Sequence, residues 1–185
     1  MARSSYGISY LVTWDPTNPN HQPSDKHWDP SSSSWVADGQ MEWLLKRVCG
    51  HINLIFLQEL ILGSHFPQGE EVVEGHILTG SSTYSLNISP SDRGNWTKTG
   101  FLYYSNAEVP PGRRDDPGVK MLCSLTFTIP YSDIRKQPMY WNEGKQWTDI
   151  HYSRDILCGG GALDYRVMHG GKLLQSVEAN YVEDV

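Results

Sequence analysis

The sequence predicts a mainly β protein: a single-domain antiparallel β-sandwich, with a β-barrel as the alternative, and one short helix near residues 38–50. Three observations carry this reading. Val119, Met121, Cys123, Leu125, Phe127 and Ile129 occupy every odd position of one run, while Lys120, Ser124, Thr126 and Thr128 face the other way. That is the period of two of a half-buried strand. Tyr6, Ile8, Tyr10, Val12 and Trp14 repeat the pattern near the amino end. Turn residues recur at short intervals, and Gly170-Gly171 between two strand-like runs suits a tight hairpin. At 185 residues the chain has the ordinary size of one domain, and no repeat or boundary divides residues 1–185.

The elements follow in order. Ser5 to Trp14 is the first strand. Residues 15–34 carry Pro16, Pro19, Pro23 and Pro30 among Asn, Asp and Ser, which removes donors and fixes φ too often for a helix or central strand, so this is a Pro-rich surface loop. Asp38 can cap a helix through Met41, Leu44, Leu45 and Val48, at helical spacing, until Gly50. Periodicity leaves Ile52 to Leu62 open between helix and buried strand. Short strands are expected at Glu71 to Leu78 and Ser82 to Ile88, around a Gly80-Ser81 turn, and at Thr99 to Tyr104. Val119 to Ile129, Trp147 to Tyr152, Ala162 to Met168 and Leu173 to Val182 complete the set, with Gly159-Gly160-Gly161 at a strand junction or hairpin loop.

Composition and motifs exclude several functions. A formal charge of −6 with 15 basic residues argues against nucleic acid as a partner, because phosphate binding draws on concentrated Lys and Arg. Cys49, Cys123 and Cys158 fit neither a disulfide framework nor a zinc spacing, so at least one thiol stays free. The amino end shows no secretory pattern, which points to the cytoplasm unless the chain is a processed one, and no apolar run is long enough to span a membrane. His21 and His27 lie near Asp15, Asp25 and Asp29 without a metal-ligand spacing, so neither metal nor cofactor is expected. Asp149 and His151, on one expected strand, are assigned to opposite faces, which would preclude a direct pair. No nucleophile motif is present, and no catalytic residue is assigned. Arg113-Arg114-Asp115-Asp116 reads as a charge-balanced exposed loop.

The aromatic content says more. Seven Trp and ten Tyr exceed what an aliphatic core needs, and Tyr140, Trp141 and Trp147 flank the polar stretch Asn142 to Gln146. Such rings serve as a floor for a sugar or as walls around a quaternary ammonium group; ordinary packing at the ends of a sandwich is the competing explanation.

The runs Gly100-Phe101-Leu102-Tyr103-Tyr104 and Leu125-Thr126-Phe127-Thr128-Ile129-Pro130-Tyr131-Ser132-Asp133, followed by Tyr140-Trp141 and Trp147, resemble the central region of the actinoporins. Ser5-Tyr6 and Thr17-Asn18-Pro19-Asn20 are similar to the opening of the related fungal fruit-body lectins. The resemblance covers the middle third and one short patch. It implies a β-sandwich that recognises glycans or lipid head groups at one end, with Thr128, Pro130 and Tyr140 at the choline-contacting positions. An insertion precedes Tyr140, and Leu157 to Gly161 stand where the family has membrane-anchoring tyrosines. With no amphipathic helix at the amino end, pore formation is not implied.

The expected function is therefore binding of a glycan or phosphocholine-type ligand through Thr128, Pro130, Tyr131, Tyr140, Trp141 and Trp147, without a cofactor. Peripheral membrane contact and a homo-oligomer stay open. Two alternatives remain: a small cofactor-independent isomerase or cyclase in a β-barrel, discriminated by an inward-facing polar cavity with a shifted titratable group, and a self-assembling structural protein.

Overall fold

The computed structural model describes residues 4–46, 75, 77–159 and 162–180. These form two antiparallel sheets. The strands are β1 (Ser5–Thr13), β2 (Lys26–Asp29), β3 (Ser34–Leu45), β4 (Ile77–Asn87), β5 (Asn95–Ser105), β6 (Lys120–Pro130), β7 (Met139–Asn142), β8 (Lys145–Cys158), β9 (Ala162–His169) and β10 (Lys172–Asn180). A one-turn helix, α1 (Tyr131–Ile134), follows β6. The first sheet has the order β2-β3-β1-β5-β6 and the second β10-β9-β8-β4, with β7 paired to the start of β8. The predicted sandwich is present. The sheets do not close on each other, which removes the barrel alternative.

Alternation builds the core. Leu125, Phe127 and Ile129 of β6, with Tyr6 and Ile8 of β1, face Ile150, Tyr152 and Ile156 of β8 and Leu163, Tyr165 and Val167 of β9. Each of these side chains withdraws from water, on the order of 2 kcal/mol apiece for the aliphatic ones. Gly170 and Gly171 both take left-handed backbone (φ 56° and 76°) in the tight β9–β10 turn, as the sequence predicts. Gly159 N donates to Ala162 O where β8 turns into β9, in line with the expected hairpin loop.

The helix expected near residues 38–50 is corrected to a strand over its described part: Asp38 through Leu45 lie within β3. Two β-bulges explain the misreading. Tyr10 pairs with Gln40 and Val12 with Ala37, so β3 has one residue too many between them, and Gly39 takes φ 72° there. A second extra residue lies between Trp43 and Leu45, opposite Tyr6 and Gly7. Each bulge shifts the pleat by one. Apolar residues at spacings of three and four thus arise in a strand and mimic a helical stripe.

The Gly80-Ser81 turn is also corrected, because β4 runs straight through both residues, which pair with Arg154 and Ser153. Gly80 is there because the sheets approach closely: a Cβ would lie 2.9 Å from Ile8 Cδ1 and 3.1 Å from Leu44 Cδ2. The Pro-rich loop forms a single 3-10 turn at Pro23–Asp25 and then the edge strand β2, whose four residues lie between Pro23 and Pro30 and include no proline. The open assignment for Ile52 to Leu62 falls outside the described residues, as does Cys49; Cys123 carries a free thiol.

Arg113 is not an exposed loop charge. Residues 112–114 run along the free edge of β3, with Gly112 O accepting from Met41 N and Gly39 O from Arg114 N. Arg113 then forks onto Asp25, Nε to Oδ2 at 2.9 Å and Nη2 to Oδ1 at 2.7 Å, while Gln22 N and Ser24 Oγ also donate to that carboxylate. The Arg113 hydrogen bonds hold the Asp25 pKa down at about 2. Its ordinary value is about 4, so the ion pair contributes fully above about pH 4, and the contribution is lost as pH falls towards 2. The contribution is about 1–2 kcal/mol, and Asp25→Asn, which strands a mostly buried guanidinium, should cost about 2–3 kcal/mol at pH 7. Urea unfolding checks this: the gap between wild type and Asp25→Asn should narrow between pH 4 and pH 2.

Candidate functional site

The first strand positions the site. Tyr6, Ile8, Tyr10, Val12 and Trp14 share the inner face of the first sheet, as the sequence alternation requires. Cover by the second sheet ends partway along them: Tyr6 is 1% exposed and Ile8 0%, but Tyr10 is 40%. Residues directly opposite in an antiparallel ladder share a face. Val12 pairs with Ala37 and Ala37 with Lys26; Trp14 N donates to Trp35 O, and Trp35 pairs with Trp28. The uncovered inner face therefore carries Trp14, Trp35 and Trp28 in a row across β1, β3 and β2, with Lys26 beside them.

These rings touch. Trp28 and Trp35 meet edge to face, centroids 5.5 Å apart at 73°, and Trp14 stacks on His21 at 5.5 Å. The Lys26 ammonium stands 4.7 Å from the Trp35 ring centre and 5.4 Å from that of Trp14, a cation–π arrangement. Trp28 and Trp35 nonetheless remain largely exposed.

A second hairpin locks against this surface. Asn142 Nδ2 donates to Pro30 O, Ser31 O and Ser33 Oγ, and Trp28 Nε1 donates to Glu143 Oε1 at 3.2 Å. Ser33 and Glu143 both have left-handed backbone, at φ 48° and 47°, and Ser33 Oγ donates to the Glu143 carboxylate. Non-glycine residues hold that conformation at a cost of about 1 kcal/mol or more, so the two docked turns fix each other.

The residues expected to form the site divide between two sheets. Thr128, Pro130 and Tyr131 belong to β6 and α1: Thr128 is exposed opposite Thr97, Pro130 is exposed opposite Asn95, and Tyr131 packs against the core. Tyr140, Trp141 and Trp147 belong to β7 and β8. Tyr140 and Trp147 stand directly opposite each other. Tyr140 Oη donates to Asp149, which also accepts from Ser85 Oγ, and buried Trp147 donates to Asn142 O. Trp141 points the other way and is 73% exposed, two residues before the Glu143 that Trp28 engages. Of the expected residues, Trp141 stands nearest in sequence to the Glu143 that Trp28 engages, and no ring contact joins it to the tryptophan row among the described residues. Trp14, Trp28, Trp35 and Lys26 were missed, although the symmetric placement of Trp28 and Trp35 about Ser31-Ser32 is a hairpin signal in the sequence.

Two further assignments change. Asp149 and His151 are two residues apart on β8 and share its outer face, where Ser85 and Thr83 meet them from β4. Their side chains engage these neighbours. His21 Nδ1 accepts the Asp15 N–H at 2.9 Å and so closes the loop after β1. Among the described residues, no group of three His, Cys, Asp or Glu side chains is placed to hold a metal ion, and no helix is long and apolar enough to cross a membrane.

No protein-family model, curated protein or solved structure matches this chain.

Proposed function

We propose that this sandwich is a carbohydrate-binding protein, and that a glycan lies on the row Trp14, Trp35 and Trp28. The observation that carries the reading is the row itself. Three indole rings on adjacent strands, on a face the opposite sheet leaves uncovered, form a rigid amphipathic surface at little conformational cost. Lys26 and Glu143 stand at its margin to exchange directional hydrogen bonds with hydroxyl groups. The resemblance to fungal fruit-body lectins includes glycans among the ligands it implies, beside lipid head groups.

Lys26 supports the glycan over the quaternary ammonium ligand, the two that the sequence suggested. Either ligand would have to shift the ammonium held over Trp35 and Trp14, but a quaternary ammonium group would do so against like-charge repulsion and an uncharged sugar would not. A glycan array and sedimentation with phosphatidylcholine vesicles test the proposal together. Retention of at least one glycan class, with the protein left in the supernatant of the vesicles, is expected; an empty array would remove it.

A further inference from the structure

Among the described residues, four buried side-chain polar atoms have no partner at hydrogen-bonding distance and angle, Ser82 Oγ, Arg154 Nε, Asp155 Oδ1 and Tyr165 Oη, although Tyr165 stands near Arg154 and Ser82 near Tyr152. Unsatisfied groups of this kind are rare and call for an explanation. Three of the four converge. Ser82, Arg154 and Tyr165 share the inner face of the second sheet on β4, β8 and β9, where Gly80 pairs with Arg154 and Ile156 with Tyr165. Arg154 is only 7% exposed and Tyr165 0%.

The opposite sheet adds a cation. On β5, Trp96, Gly100 and Leu102 face inward, and Lys98 shares their side, its ammonium 3.6 Å from the Tyr84 ring centre. Gly100 makes room for Tyr165, whose Oη would lie 3.1 Å from a Cβ at that position. Burial, reinforced by the neighbouring Arg154 charge and opposed by Asp38, lowers the Lys98 pKa to about 8. Glu42, whose pKa burial raises against the pull of Arg154, is the carboxylate that faces the guanidinium from β3.

The sheet opens at this place. β1 and β5 pair only at Ser5 to Gly7 and part beyond, and Arg154 Nη1 reaches into the gap to donate to Ser9 O at 3.3 Å. That bond anchors the guanidinium and leaves its Nε edge unpaired. Tyr10 is exposed, and Lys98 and Tyr84 are only partly covered.

We propose that the wedge between β1, β5, β8 and β9 is a binding site for a small oxyanion, a carboxylate or phosphate, received by Arg154 Nε, Tyr165 Oη and the Lys98 ammonium. The planar guanidinium edge suits either group, and one anion would satisfy both the orphaned donors and the like charges of Arg154 and Lys98. This site is separate from the tryptophan row.

Isothermal titration with acetate, succinate and inorganic phosphate, at constant ionic strength in chloride, tests the assignment and tells the two sources apart. Wild type should bind at least one of them with a midpoint that chloride does not reproduce. Lys98→Met and Tyr165→Phe should each weaken that affinity about tenfold, the loss expected for one hydrogen bond to a charged group. Urea unfolding of each unliganded variant checks that it is folded before its affinity is read. Absence of binding by all three anions, or wild-type affinity in both variants, would overturn the proposal.

Discussion

Replacing Trp28 and Trp35 together with alanine should reduce glycan affinity at least a hundredfold while leaving the fold intact. Central aromatic residues commonly account for about 2 kcal/mol or more each when truncated, and a factor of ten corresponds to about 1.4 kcal/mol. Both rings are largely exposed in the unliganded protein, so little core packing is lost with them. Trp28→Ala alone also removes the donor to Glu143 and should cost about tenfold or more. Trp147→Ala serves as the contrast. That ring is buried and donates to Asn142 O, so its removal should lower stability first. Titration calorimetry and urea unfolding on the three variants separate the two effects.

Gly7→Ala should be among the most damaging single substitutions outside the aliphatic core, at about 3 kcal/mol. A Cβ on Gly7 would press against the Glu42 carbonyl oxygen and lie 2.8 Å from Trp43 Cε3 and 3.0 Å from Trp43 Cα. These are backbone and ring atoms held by the second bulge of β3, and they cannot rotate aside. Gly80→Ala provides the comparison, because its nearest atoms are the ends of Ile8 and Leu44 side chains, which can adjust. Its cost should be about 1 kcal/mol. Equal urea midpoints for the two variants would show that the Gly7 contact yields as easily as a side chain does.

The legible part of the fold was the part with unbroken alternation. β6 reads inward at each odd position from Leu125 to Ile129, although Met121, expected on the same side, is exposed beyond the register shift opposite Leu102 and Tyr103, and β1 reads inward from Tyr6 to Val12. β3 was illegible because its two bulges break the period, and Gly80 because a glycine required for close sheet packing resembles a glycine required for a turn. Of the binding surface, the sequence placed Tyr10 and Trp14 on one face but could not show that the second sheet stops short of them. Prolines concealed β2, and Trp28 and Trp35 with it. Arg154 was accessible in principle: extending the β8 alternation past Tyr152 puts Thr148, Ile150, Tyr152, Arg154 and Ile156 on one side, a charge among inward positions. Lys98 carries the same signal between Trp96 and Gly100. A charged residue on the apolar parity of a strand was the clue to the interior wedge.

The indole N–H resonances of the seven tryptophans offer the most direct test of the binding surface. On titration of isotope-labelled protein with the oligosaccharides of the array, the Trp14, Trp28 and Trp35 signals should shift together, while those of buried Trp96 and Trp147 stay in place. Shifts confined to Trp96 or Trp147, or none at any oligosaccharide concentration, would contradict a glycan site on the uncovered face.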